Sequence, residues 1–232
     1  FNPFDYKLLR GDFKAMGKIQ FPEGIGKDVS GVVEKVGKKV KTFKAGDKVY
    51  SRIDEIFAGT MAEYVISNAS DSANIPSNLS HEESAGVPLA GLTAYQALTD
   101  VVKLSKGERI LIHAGSGGVG TFAIQFAKHL GAKVTTTTST KNIELVKKLG
   151  ADKVIDYTKE NYLDEENKFD VVFDTLGGNH TLDSFKVLKD GGRLVSIAGV
   201  IDSITAKQFG LNKFVSLILA FQARKVLKAA SK

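Results

Sequence analysis

Apolar and polar positions change rhythm partway along this chain of 232 residues. As far as Pro76 the apolar residues fall in short β-branched runs, separated by glycine and charged turns. Val29-Ser30-Gly31-Val32-Val33-Glu34-Lys35-Val36 predicts a strand that closes at Gly37. Lys44-Ala45-Gly46-Asp47 predicts a turn into a strand at Lys48-Val49-Tyr50, and Met61 to Ile66 predicts another strand. Short strands at this spacing imply a small barrel or sandwich rather than βαβ units. Beyond Pro76, Ser80 stands three residues before Glu83, a capping-box pattern that opens a helix.

From Glu108 onward strand and helix patterns alternate. The apolar run Arg109–His113 enters a glycine-rich turn, after which Val119, Phe122, Ala123, Phe126, Ala127 and Leu130 share one stripe of helical period. Gly131 ends that helix, and strands are predicted at Lys133–Thr138, Lys153–Asp156, Phe169–Asp174 and Arg193–Ala198. Five strands with intervening helices make an α/β fold, a doubly wound parallel sheet. The change of rhythm near residues 77–90 divides the chain into a β-rich domain, 1–78, and an α/β domain, 79–232.

Composition narrows the chemistry. With no cysteine, the chain has no disulfide framework, thiolate zinc site, iron–sulfur cluster or cysteine nucleophile. No uninterrupted apolar run reaches membrane-spanning length, so no membrane span is expected. The formal charge of +6 is concentrated at one end. Lys207, Lys213, Arg224, Lys225, Lys228 and Lys232 lie in the last thirty residues with no acid, so the preceding 202 residues balance to zero. The charge therefore does not mark the whole chain as a nucleic-acid binder. Leu211, Phe214, Val215, Leu217, Ile218, Leu219 and Phe221 predict a helix in that tail with a broad apolar face, either packed on neighbours or lying on a membrane surface.

Gly115-Ser116-Gly117-Gly118-Val119-Gly120 fits G-x-G-x-x-G between an apolar strand and a periodic helix. That context selects dinucleotide binding over a plain structural turn, because backbone N–H groups and the helix N-terminus can then approach a pyrophosphate. An NAD site places an acid near the end of the second strand, but Ala132 to Ile143 contains none. Ser139 and Lys141 in Thr138-Ser139-Thr140-Lys141 suit a 2′-phosphate, which favours NADPH. The alternative is that Ser139 or Thr140 caps a helix over Asn142–Leu149; both can hold.

Several segments together resemble the medium-chain dehydrogenase/reductase superfamily, in its zinc-free quinone oxidoreductase and alkenal/enone reductase branch. They include Asn2-Pro3-Phe4-Asp5-Tyr6-Lys7, Asp28-Val29-Ser30-Gly31-Val32-Val33, Gly46-Asp47-Lys48-Val49-Tyr50 and Gly59-Thr60-Met61-Ala62-Glu63-Tyr64. Pro88-Leu89-Ala90-Gly91-Leu92-Thr93-Ala94-Tyr95, the glycine turn, Lys148-Leu149-Gly150-Ala151-Asp152 and Asp174-Thr175-Leu176-Gly177-Gly178 complete the series. The resemblance implies a partial GroES-like domain before a Rossmann domain, with the active site in the cleft between them. It also implies a chain continuing beyond both Phe1 and Lys232.

By motif, the catalytic zinc positions of metal-dependent relatives fall on Asn2, Lys27 and Leu89, which offer no thiolate or imidazole. No metal is therefore expected. His81, near a helix start, His113, on the core strand, His129, at a helix end, and His180, in a loop, form no ligand spacing. The resemblance further implies that Gly115, Gly117, Gly118, Val119 and Gly120 form the pyrophosphate turn. Tyr157 would lie beside the adenosine phosphate and Thr93 near the nicotinamide phosphate. Leu176, Gly177, Ala198 and Gly199 would approach the nicotinamide ribose and ring. Asn2, Tyr6 and Tyr50 are candidate hydrogen-bond donors to a developing enolate oxygen; for each tyrosine the alternative is ordinary packing.

The expected activity is zinc-independent reduction of a quinone or α,β-unsaturated carbonyl by NADPH, in a cytoplasmic homodimer without a nucleic-acid partner. Two alternatives stand beside it. One is an enoyl-thioester reductase; the other is a non-catalytic NADPH-binding protein whose basic tail contacts RNA or an anionic surface.

Overall fold

The computed structural model describes residues 1–12, 24–53, 59–198, 223–224, 226 and 228–230. The predicted helix over 211–221 and the candidate Gly199 lie outside the described residues. The chain separates into two compact units, Phe1–Leu92 and Thr93–Lys232.

In the first unit helix α1 (Pro3–Arg10) opens on proline, whose fixed φ and missing N–H suit a first helical turn. Gly11, at φ 84°, closes it. Strands β1 (Asp28–Val32), β2 (Lys48–Arg52) and β3 (Ser72–Asn74) form an antiparallel sheet in that order, Ser30 facing Tyr50 and Tyr50 facing Ala73. The turn before β2 forms as expected. Lys44 N–H donates to the Asp47 carboxylate at 2.8 Å, and Gly46 takes φ 92°.

One strand expectation fails. Residues 61–66 join no ladder among the described residues, and Tyr64 and Ile66 are exposed. The third strand is instead Ser-Ala-Asn, which carries no hydrophobic signal and is selected by its register with β2. Helix α2 (His81–Ala85) begins with the expected capping box, in which Glu83 N–H donates to Ser80 Oγ and Ser80 N–H donates to the Glu83 carboxylate. Helix α3 (Pro88–Gln96) runs across the division between the two units.

The second unit is a parallel five-stranded sheet in the order β6-β5-β4-β7-β8. Its strands are β4 (Arg109–Ile112), β5 (Lys133–Thr138), β6 (Lys153–Asp156), β7 (Phe169–Asp174) and β8 (Leu188–Ser196). Helices α4 (Gly118–His129), α5 (Ile143–Lys148) and α6 (Asn179–Val187) connect them. Side chains alternate across the sheet with period two. Ile110, Ile112, Val134, Val171 and Phe173 pack against the apolar stripe of α4, while Leu111, Ile155, Val172 and Val187 pack together separately. Phe169 joins that second cluster because the register shifts between Phe169 and Val171. Each of these fully buried side chains contributes roughly 1.5–3 kcal/mol. His180 lies in α6 rather than a loop, since Asn179 to Val187 continues helically after the turn at Gly177 and Gly178.

Candidate functional site

The glycines between β4 and α4 have different physical reasons to be there. A Cβ on Gly115 would fall 3.0 Å from Thr136 Cβ and nearer still to that hydroxyl. One on Gly120 would fall 2.7 Å from Gly115 Cα and nearer still to the Ala114 carbonyl. These two glycines let strand, turn and helix close on one another. Gly118 differs, for a Cβ there would meet nothing within 4 Å. The fold does not require glycine at this first residue of α4, and the space beside it at the helix N-terminus is open. Ala114, at φ 51°, and its N–H bond to Thr137 Oγ1 at 3.0 Å hold the turn in place. Val119 packs on the core beneath.

At the ends of β5 and β6 the hydroxyl-rich turn does not act as a helix cap. Ser139 makes no side-chain cap bond. Thr140 Oγ1 instead donates to Asp156, which also accepts Thr158 N–H at 3.1 Å and Thr158 Oγ1 at 2.7 Å. The Thr140 bond, outweighing a small cost of burial together with those from Thr158, holds the Asp156 carboxyl below its usual range. Lys141 projects into solvent and has no partner among the described residues. Ser116, which sequence reasoning passed over, accepts from Thr138 Oγ1 at 2.9 Å and Asn142 Nδ2 at 3.1 Å. It thus joins the glycine turn to the turn that carries Ser139 and Lys141. Tyr157 is exposed, with its backbone N–H on Thr138 C=O.

The turns after β7 and β8 meet. Gly177 has φ 77°, and a Cβ there would fall 3.1 Å from the Ala198 carbonyl carbon and closer to its oxygen. Asp174, fully buried, organises both turns. Its carboxylate accepts Leu176 N–H (2.9 Å), Gly177 N–H (3.0 Å), Thr181 Oγ1 (2.5 Å) and Ser196 Oγ (2.9 Å). Burial alone would raise its pKa, but these four donors outweigh burial and hold it below the ordinary range. Leu176, Gly177 and Ala198 are therefore brought together, with the Leu176 side chain exposed. The aspartate was legible only as part of a motif; its role needed the fold.

Behind Asp174 lies His113. Ser184 Oγ donates to His180 C=O at 2.7 Å, so the 3.1 Å contact between His113 Nε2 and Ser184 Oγ is a donation from the imidazole. Nδ1 is buried without a partner among the described residues. Burial drives the His113 pKa down to about 4, and the nearby Asp174 charge only partly opposes it. Tyr162 packs edge-on against the ring and is pushed up to about 12, first by burial and then by Asp183 and Asp174.

In the first unit, two of the three positions that correspond to zinc ligands donate to one carboxylate. Asn2 Nδ2 and Leu89 N–H each donate to Asp28 at 2.8 Å. Lys27 is buried, with Nζ on Ile53 C=O at 3.2 Å and over the Phe4 ring. An amide, an ammonium and an aliphatic side chain do not fit a zinc ion. No group of three or more His, Asp or Glu among the described residues could hold a metal. Tyr6 is partly exposed under Arg10, Tyr50 lies mid-β2, and Thr93 is half-buried on α3.

A parallel sheet with a glycine turn at a helix N-terminus defines a dinucleotide-binding Rossmann protein, here following a GroES-like β-rich segment. Residues 1–77 match the family model described as the alcohol dehydrogenase GroES-like domain, and residues 118–228 match that described as zinc-binding dehydrogenase. The chain is 36% identical to the quinone oxidoreductase from Coxiella burnetii, with a TM-score of 0.80, covering 96% of this chain and 68% of that one. It is 45% identical to the 2-methylene-furan-3-one reductase of Solanum lycopersicum and 43% identical to the NADPH-dependent alkenal/one oxidoreductase of Arabidopsis thaliana. Each match covers 86% of this chain and 53% of the relative, so the chain spans about half the length of these curated relatives. The chain belongs to the zinc-free quinone and alkenal/enone oxidoreductase branch of the medium-chain dehydrogenase/reductase superfamily. Although one matching family is named for zinc, this chain lacks the donor set at the corresponding positions. Among the described residues no helix is long and apolar enough to cross a membrane.

Proposed function

We propose that this chain forms the NADPH-binding part, and some of the substrate-binding part, of a zinc-independent reductase of quinones or α,β-unsaturated carbonyls. One observation carries the cofactor reading. Gly118 leaves open space at the N-terminus of α4, and the neighbouring turn offers Ser139 and the unpaired Lys141 with no acid on β5. NADPH, when bound, supplies a hydride to an electron-poor acceptor.

The chain's own residues do the rest of the work. N–H groups at Gly118 and Val119 face the pyrophosphate beside Gly117, whose own N–H is bound to Ala114 C=O at 2.9 Å, while Ser139 and Lys141 hold the 2′-phosphate, with Tyr157 beside it. Thr93 binds the nicotinamide phosphate. Leu176, Gly177 and Ala198, fixed through Asp174, bound the nicotinamide end and limit its orientation. Asn2, Tyr6 and Tyr50 remain the candidate donors to the substrate oxygen, and Asn2 is oriented for that by its bond to Asp28. The domain division 1–78 and 79–232, the homodimer and the cytoplasmic location belong to the same proposal; the Arabidopsis relative is by name chloroplastic.

The test follows NADPH absorbance with a quinone, an alkenal and an enone, using a full-length protein that contains this chain. Substrate-dependent loss supports the reading; binding without turnover of any acceptor overturns the enzymatic part. Lys141→Ala is expected to weaken NADPH about tenfold, roughly 1.4 kcal/mol, and to leave NADH nearly unchanged. Unchanged NADPH affinity would remove the 2′-phosphate assignment.

A further inference from the structure

We propose that the loop between β1 and β2 is a docking surface for anionic lipid headgroups, through which the protein lies against a membrane without crossing it. The loop is pinned at its base. Val33 N–H donates to Asp47 C=O, and Gly46 N–H donates to Val33 C=O, both at 2.9 Å. The enclosed residues, 34–45, carry Lys35, Lys38, Lys39, Lys41 and Lys44 against one acid, Glu34. All five lysines are exposed. Val40 N–H donates to Gly37 C=O at 2.9 Å, so Lys38 and Lys39 are the two central residues of a turn. The chain thus presents two adjacent charges where it reverses.

The first unit does not neutralise this cluster. None of the five lysines forms an ion pair among the described residues. Asp47, at the foot of the loop, accepts the Lys44 backbone N–H instead, at 2.8 Å. Lysines of the second unit are placed differently: Lys128, Lys186 and Lys189 lie 2.6–2.7 Å from Asp152, Asp183 and Asp170. Clustered like charges repel, and a surface of fixed negative charge offsets that where the fold does not.

The composition of the loop favours lipid over a nucleic acid or an acidic protein. Its cations are all lysine, so it has no planar guanidinium fork for bidentate recognition of a phosphodiester or carboxylate. Its one aromatic residue, Phe43, is half-buried, which leaves no exposed ring on which a base could stack. Val36, 41% exposed, stands between Lys35 and Lys38. An apolar side chain flanked by lysines suits the boundary between headgroups and acyl chains, where the long lysine stems keep their charged ends among the headgroups.

Co-sedimentation of the full chain with vesicles of equimolar phosphatidylcholine and phosphatidylserine, and with vesicles of phosphatidylcholine alone, tests this. The chain is expected to bind the anionic vesicles at low salt, to be released by high salt, and not to bind the neutral vesicles. Each lysine near such a surface contributes roughly fivefold in affinity, so Lys38→Gln/Lys39→Gln should weaken binding about thirtyfold. Lys35→Gln/Lys41→Gln, a second pair on the same loop, should do the same. Both variants should keep the wild-type Tm, since neither pair enters an ion pair within the fold. Binding that survives in both loop variants but is lost in Lys225→Gln/Lys228→Gln assigns the contact to the basic tail and overturns the inference. Equal binding to neutral vesicles overturns it too, as does no binding to either kind. Salt-sensitive capture of single-stranded RNA or polyglutamate in place of the anionic vesicles overturns the assignment to lipid.

Discussion

Gly118 and Gly120 lie two residues apart in one turn, and adding a single methyl group to each should have opposite consequences. At Gly120 the new Cβ would lie 2.7 Å from Gly115 Cα and closer to the Ala114 carbonyl, both backbone atoms with no rotamer to move away. Relief requires separating α4 from the β4 turn, and overpacking of this kind costs roughly 1–3 kcal/mol or more. For a unit of this size each 1 kcal/mol lowers Tm by roughly 2–4 °C, so Gly120→Ala should melt roughly 2–12 °C lower. At Gly118 the added Cβ touches nothing within 4 Å and replaces glycine in a helix, a change worth up to about 1 kcal/mol in favour of the fold. Gly118→Ala should therefore melt at or slightly above the wild-type temperature. Its Cβ would occupy the proposed pyrophosphate site, and NADPH affinity should fall at least about tenfold. Differential scanning fluorimetry and titration with NADPH read both quantities on the same samples. A Gly118→Ala protein that binds NADPH like wild type would refute the cradle, and a Gly120→Ala protein of unchanged Tm would refute the packing argument.

Three further outcomes follow from the same geometry. Asp174→Ala leaves four donors unpartnered and should cost roughly 3–5 kcal/mol in denaturant unfolding. Because the folded carboxyl titrates below its ordinary 3.8, its contribution is present above that pH and fades as pH falls through the folded value, so the gap between variant and wild type should close in strong acid. His113 is buried neutral with a pKa of about 4 against an ordinary 6.5, so stability should drop as pH falls between those values, by up to about 3 kcal/mol. His113→Gln should flatten that slope in urea melts taken from neutral to acid pH. Finally, zinc added to the full chain should not raise Tm, because Asn2, Lys27 and Leu89 supply no ligand set. A stoichiometric rise abolished by Asp28→Ala would contradict this.

The pattern of β-branched and apolar residues identified the parallel strands β5, β6 and β7 to the residue, because such residues fit a pleated strand whether it lies inside the sheet, as β5 and β7 do, or at its edge, as β6 does. It overran at β1, where Val33 leaves the ladder for the turn closed by Gly46, its N–H on the Asp47 carbonyl. It also misplaced the third strand of the first sheet, since Met61 to Ile66 has the composition of a strand and pairs in no ladder among the described residues. Ser72–Asn74 has the partner and not the composition. The residues of α6 show too little apolar character to be read as a helix; Asp174 anchors its first turn through Thr181.

By itself, the sequence determined the class of fold, the glycine turn, and the absence of both an acid at the end of β5 and a zinc ligand set, because each depends on which residue types occur at a fixed spacing. Only the tertiary structure decided which glycine serves packing and which leaves open space at the helix N-terminus. It also decided that Thr140 turns to Asp156 while Ser116 accepts from Thr138 and Asn142, and that Asp174 ties two turns into one surface. Those are matters of which atoms lie within 3 Å of one another. Residues far apart in the chain are brought to that distance by β-sheet register and helix packing, which no local pattern records.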